Sequence, residues 1–174
     1  ESILGQEQEA FLRTIEGVSP ISIRLNPLKS YDPPFKLDAP IPWTSAGYYL
    51  EQRPSFTLDP GFHGGAYYVQ EASSMLIEAA IKAHKDLSQP LKVLDLCAAP
   101  GGKSTLLASI LDPDSLLVTN EVIQSRYRIL IENMHKWGTS NTFITNHDVS
   151  DFTALKGFFD IILVDAPCSR SEEH

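Results

Sequence analysis

Cysteine, methionine and tryptophan are scarce in this 174-residue chain, with two of each. Cys97 and Cys168 are too few for a disulfide framework, and such sparing use of thiols fits a reducing cytoplasm. Long apolar runs are also missing. No stretch approaches the roughly eighteen residues of a membrane-spanning helix, and the N-terminus lacks a basic-then-apolar secretory pattern, so neither a membrane nor an export route is expected. Basic residues are outnumbered, 14 to 22, for a net charge of −8. Split at Pro90, each part holds seven basic and eleven acidic residues, so no basic tail or domain stands out. That balance weighs against a nucleic-acid partner, because phosphate contacts need clustered Lys and Arg. Nor do His63, His84, His135 and His147 show metal-ligand spacing with the cysteines, and no zinc site or other metal is expected.

What is present is an ordinary globular composition, 43% apolar and 21% charged, in a length that can build one sizeable core. The first residue, Glu1, is not methionine, from which a longer upstream protein is expected. There is no internal repeat. Composition changes near Pro90. Residues 18–66 are broken by eight prolines, from Pro20 to Pro60, and by Gly47 and Gly61. Short β-like runs lie among and just after them at 21–25, 47–50, 55–58 and 66–69. Helices are predicted at about 6–15, with Ala10, Phe11 and Thr14 on one face, and at about 71–84. Beyond Pro90 the rhythm is regular: strands at 91–96, 116–119, 142–145 and 161–164, with helices at 103–111, along the stripe from Ile123 to Trp137, and near 152–158. Strands alternating with helices imply parallel pairing through right-handed crossovers, hence an open α/β sheet. Its first and fourth strands should be neighbours, which would bring Cys97 close to Cys168.

The strongest local signal is the stretch from Val93 through Asp95, Cys97, Ala98, Ala99, Pro100, Gly101 and Gly102 to Lys103. A strand enters a small-residue turn and then a helix, where backbone can approach a ligand and free N–H groups face an anion. Gly102, Lys103 and Ser104 fit a phosphate loop, but Cys97 occupies the position of its first glycine. A second signal is acidic: Asp95, Glu121, Asp148 and Asp165 follow four successive strands, the usual rim of the ligand crevice in such sheets, and Glu121 is placed to accept from ribose hydroxyls. Cys168, just past the fourth strand, could act as a nucleophile or an acid if its pKa is tuned.

Together, Cys97 to Lys103 and Asp165 to Ser169 resemble the Sun and nucleolar-protein family of RNA cytosine-C5 methyltransferases, which use S-adenosylmethionine. Ser22 to Pro27 resembles that family's S-x-R-x-N-P segment, and Gln70 to Met75 its Q-E-A-S-S-M helix start. The tract from Trp43 through Tyr49 to that helix most resembles the bacterial branch that methylates 16S ribosomal RNA. The resemblance implies a small α+β module at 1–90 that contacts RNA, followed by the N-terminal part of a Rossmann-like S-adenosylmethionine domain at 91–174. It further implies that Cys97, Ala98, Ala99, Pro100, Gly101, Gly102 and Lys103 hold the methionine part of the cofactor. Glu121 would hold the ribose, Asp148 the adenine edge, and Asp165 the region around the amino group and target base. Arg126 matches a family position near the cofactor. Cys168 matches the cysteine that helps release product, with Asp165 beside it. The attacking cysteine belongs to a later strand, so the chain alone is expected not to complete transfer. The family continues D-A-P-C-S with Gly and small residues, whereas Arg170 to His174 follow here.

Arg24, Lys29, Arg53 and Lys103 are the cations available for RNA, with Tyr48, Tyr49, Tyr67 and Tyr68 available to stack on unpaired bases. The RNA class is ribosomal first, transfer RNA second. Two other readings stay open. One is a nucleotide-phosphate enzyme with a degenerate phosphate loop at 97–104. The other is a non-catalytic RNA-binding module on the same scaffold.

Overall fold

The structure is a computed structural model that describes residues 5–17 and 19–166. It opens with a 3-10 turn (Gly5–Glu7) and helix α1 (Gln8–Glu16), where the sequence predicts a helix. Phe11 and Leu12 are exposed, and an Arg13–Glu9 pair at 3.2 Å supports α1 along its surface.

Strands β1 (Ile21–Leu25), β2 (Gly47–Leu50) and β3 (Tyr67–Val69) form an antiparallel sheet in the order β2-β1-β3. The central strand is buried on both faces, and Ile23 packs with Leu50, Phe56, Ala66 and Tyr67. The run at 55–58 is not a strand. Between Pro54 and Pro60 it folds as a 3-10 turn (Phe56–Leu58) and leads into α2 (Pro60–His63). The Asp59 side chain caps α2 by accepting from Gly61 N at 2.9 Å, with Pro60 at the first helical position. The helix expected from 71 to 84 divides into a 3-10 turn (Ala72–Met75) and α3 (Leu76–Lys82). The Glu71 carboxylate takes the Ser73 N–H at 3.3 Å, and that tightens the first turn.

Beyond Pro90 come β4 (Lys92–Asp95), α4 (Gly102–Ile110), β5 (Leu116–Asn120), α5 (Gln124–Trp137), β6 (Thr142–Thr145), a 3-10 stretch (Val149–Leu155) and β7 (Ile161–Leu163). All four strands are parallel, in the order β6-β5-β4-β7. The expected adjacency of first and fourth strands is met, with Leu94 opposite Ile162. Helices α4 and α5 cover one face, where Val93, Leu107, Leu117, Leu130, Met134 and Trp137 make the main core. Apolar residues on facing helix stripes and alternate strand positions meet there and leave water together.

The two sheets are stitched by buried polar side chains. Asn26 Nδ2 donates to Gly65 O and to Trp137 O, both at 2.9 Å, and Asn26 Oδ1 accepts from Leu28 N. Among the described residues no helix is long and apolar enough to cross a membrane. Nor does any group of three or more His, Cys, Asp or Glu among them stand ready to hold a metal ion.

Candidate active site

The site grows from the C-terminal end of β4. Leu96 N donates to Leu163 O and Ala98 N to Asn120 O, so the turn after β4 is tied to both neighbouring strands. Gly101 has φ +107, a conformation that costs a side-chain-bearing residue about 1–2 kcal/mol, and it lets the chain swing directly into α4. Pro100 O accepts from Asn133 Nδ2 at 2.7 Å and Ala99 O from an Arg126 guanidinium N–H at 2.7 Å, so α5 holds the turn from above. Arg126 therefore shapes the turn through its carbonyls.

Asn120 is the residue that sequence reasoning undervalued. Its Nδ2 donates to Leu96 O and His147 O, while its Oδ1 accepts from His147 N and the Thr145 hydroxyl. It joins the ends of β4, β5 and β6 into one rim. Polar Asn at the end of an otherwise apolar strand is the signal that could have found it.

Three carboxylates stand at this rim. Asp95 is fully buried; Oδ2 accepts from Ser104 Oγ at 2.6 Å, and Oδ1 has no partner. Burial pushes its carboxyl up to about 6, with Ser104 and Lys103 pulling the other way and Asp165 and Glu121 adding to the rise. Glu121 is 2% exposed. Its Oε1 accepts from Ile123 N at 3.0 Å, and its Oε2 lies 3.5 Å from Arg126 without a hydrogen-bond partner. Two buried carboxylate oxygens beside the turn accept no hydrogen bond, which leaves them open to hydroxyl or ammonium donors. Asp165, after β7, is exposed and ion-paired with Lys103 Nζ.

Cys97 Sγ is not poised as a nucleophile. Burial, then Glu121 and Asp95, raise its pKa, which keeps the thiol protonated.

A crevice of about 200 Å³ opens beside the turn; of the three carboxylates Asp165 lines it, while Asp95 and Glu121 lie behind its wall. Cys97, Ala98, Ala99, Pro100, Gly102, Lys103 and Asp165 line one wall. Tyr68, Gln70, Glu71 and Ser74 line the other, a contribution of the first sheet that sequence reasoning missed. Asp148 is not among the lining residues: it is exposed and caps the following 3-10 stretch by accepting from Ser150 N at 2.9 Å. Cys168 lies outside the described residues.

Two of the four cations expected to contact RNA need correction. Arg24 is 1% exposed. It donates to Gln70 Oε1 at 3.0 Å, to Thr105 Oγ1 at 2.6 Å and to the carbonyls of Gly102 and Thr105, and it stacks 4.5 Å from the Trp137 ring. It is a strut between β1 and the first turn of α4, closed to phosphate. Lys29 is half-buried, its ammonium engaged by Gly64 O and Lys136 O. Arg53 is exposed beside Phe56, 5.6 Å from the ring. Of the tyrosines, Tyr67 is buried with its hydroxyl on Asp59 Oδ2 at 2.8 Å, so it is closed to stacking on a base. Tyr48, Tyr49 and Tyr68 are half-buried.

The geometry disfavours a phosphate loop. Ala98 N and Gly101 N are spent inside the protein, and the Lys103 ammonium is paired with Asp165.

A parallel sheet of this order, with its crevice beyond the strand ends and an acidic residue closing the second strand, is a Rossmann-like α/β fold, and its structural neighbours place it in the methyltransferase class. A methyltransferase homologue from Pyrococcus horikoshii superposes with a TM-score of 0.78 at 30% identity, covering 95% of this chain and 56% of that one. The particular family follows from the sequence profiles: the chain belongs to the 16S rRNA methyltransferase RsmB/F family, whose profile matches residues 80–172. The N-terminal domain of 16S rRNA methyltransferase RsmF matches residues 1–72. The ribosomal RNA small subunit methyltransferase F of Pectobacterium atrosepticum is 41% identical across 85% of this chain and 33% of its own length. Its counterpart in an Escherichia coli O157:H7 strain is 39% identical with the same coverage. The chain thus spans about a third of these curated relatives. NSun6 from Pyrococcus horikoshii, solved with SFG, is 30% identical with a TM-score of 0.56, covering 67% of this chain and 29% of that one.

Asp95 also sets a pH dependence. Its folded pKa is raised, so between about pH 4 and 6 its carboxyl holds more proton in the folded than in the unfolded state, and its own contribution to stability falls as pH rises through that window. The loss amounts to about 3 kcal/mol by pH 7. Asp95→Asn should flatten this limb in urea unfolding series at pH 4, 5, 6 and 7; an unchanged slope would contradict the assignment.

Proposed function

We propose that this chain supplies the donor-binding half of an S-adenosylmethionine-dependent methyltransferase that modifies C5 of a cytosine in 16S ribosomal RNA. The observation that carries the reading is a small-residue turn that lines the crevice and stands beside buried Asp95 and Glu121, each with one carboxylate oxygen that accepts no hydrogen bond. S-adenosylmethionine combines an amino acid, a cationic sulfonium and a ribose, and these residues suit it. Cys97 to Lys103 would embrace its methionine part and Glu121 its ribose hydroxyls. Asp165, paired with Lys103 at the open mouth, would face the methyl group's destination. When bound, the cofactor supplies a methyl group on sulfonium sulfur.

Adding methyl at C5 requires a thiolate to attack C6, after which C5 takes the methyl group, loses its proton and expels the thiol. Cys97 is held as a thiol and is unsuited to that attack. Cys168 would serve in product release, as the resemblance implies, and the attacking cysteine would come from the longer protein. We therefore expect this chain to bind the cofactor and not to turn over. Extrusion of the target base costs a few kcal/mol, and Arg53 with the half-buried Tyr48, Tyr49 and Tyr68 is the RNA-facing set that remains.

The test uses the full-length protein and 16S RNA carrying tritium at cytosine C5. Methylation at C5 releases tritium to water, one for each methyl group gained. Methyl incorporation without tritium release would place the chemistry on another atom.

A further inference from the structure

Gln70 is 93% buried, and its carboxamide orientation is fixed from behind. Its backbone is clamped, with N donating to Ser22 O and O accepting from Ser22 Oγ at 2.6 Å. Arg24 Nε donates to Gln70 Oε1 at 3.0 Å. The oxygen is thereby committed to the guanidinium, and Nε2 is turned the other way. That nitrogen has no hydrogen-bond partner among the described residues, and Gln70 lines the crevice. It stands against the start of α4: a Cβ placed on Gly102 would lie 3.4 Å from Nε2. The first N–H groups of a helix have no intrahelical acceptors and favour a negative group. Two amide N–H donors and a helix N-terminus thus converge on one spot.

Building on the donor-binding reading above, we propose that Gln70 is a direct ligand-contacting residue that donates from Nε2 to the carboxylate of the donor's amino-acid part, with Arg24 as the positioning residue that fixes its orientation. Buried, charge-accepting hydrogen bonds of this kind contribute about 1.5–3 kcal/mol, or roughly tenfold to a hundredfold in affinity.

The decisive variant is Gln70→Glu. It keeps an acceptor for Arg24, indeed a charged one, but removes both donors and sets a carboxylate against a carboxylate. A residue that served the fold alone would tolerate this change. Titrating the chain calorimetrically with S-adenosylhomocysteine, which has the amino-acid carboxylate, and with 5′-methylthioadenosine, which lacks it, separates the contributions. Gln70→Glu should weaken S-adenosylhomocysteine at least tenfold, leave methylthioadenosine within twofold, and hold or raise the melting temperature. Gln70→Met, which deprives Arg24 as well, should show the same selective loss with a lower melting temperature. Unchanged S-adenosylhomocysteine affinity, or equal losses for both ligands, would overturn the proposal while leaving the donor site intact. Wild-type protein that binds neither ligand would instead overturn the donor-binding reading itself.

Discussion

Replacing Glu121 with alanine is expected to weaken S-adenosylmethionine binding about a hundredfold while shifting the melting temperature by no more than a few degrees. The two effects have separate origins. Glu121 Oε2 is buried and lacks a hydrogen-bond partner in the free protein. Filled by a pair of ribose hydroxyls, a carboxylate gains two charge-assisted bonds of about 1.5 kcal/mol or more each, and every 1.4 kcal/mol is a factor of ten. The fold has less at stake. The variant loses one bond from Ile123 N, worth about 1 kcal/mol, and the 3.5 Å pairing with part-exposed Arg126, but also removes a buried charge that raises the ionisation cost of Asp95. Calorimetric titration beside thermal unfolding reads both. A large drop in stability, or an affinity within threefold of wild type, would show that Glu121 serves packing and not the ligand.

The second large effect is on stability. Arg24→Ala should destabilise the chain by about 3 kcal/mol or more, because it strips donors from Gln70, Thr105, Gly102 and Ser109 and empties the space against Trp137. For a chain of this size that corresponds to a fall of about 6 °C or more in melting temperature. Arg24→Lys should recover only part of it, since one ammonium cannot span acceptors on both β3's flank and α4. A fall under about 2 °C for Arg24→Ala would mean that the guanidinium's hydrogen bonds merely replace equivalent bonds to water.

Arg24 also shows where sequence reading stopped. Its acceptors lie between 46 and 85 residues downstream, at Gln70, Gly102, Thr105 and Ser109. Nothing local to Ser22–Pro27 reveals them, so the residue read as a surface cation. Gln70, Glu71 and Ser74 were legible as a helix-start motif and not as crevice residues, because their place opposite residues 97–103 depends on packing between distant segments. By contrast, the strands at 21–25, 47–50 and 142–145 were legible to the residue, because apolar content and flanking turn residues set them locally. The adjacency of β4 and β7 was legible too, from the strand order usual in open sheets of this kind. The run at 55–58 misled because its apolar residues lie between Pro54 and Pro60, where capping by Asp59 decides for a turn. Asp148 and Glu121 looked equivalent as acidic residues after strands. One is buried with an open oxygen and the other is spent on its own helix start, a difference that only tertiary burial creates.

The central claim is that residues 95–121 and 165, closed over by Gln70, make a site for an adenosyl methyl donor. Isothermal titration of this chain with S-adenosylmethionine, with ATP and magnesium as the parallel ligand, tests it most directly. The account predicts saturable one-to-one binding of S-adenosylmethionine and none of ATP. Binding of ATP with no response to S-adenosylmethionine would contradict it and restore the phosphate loop.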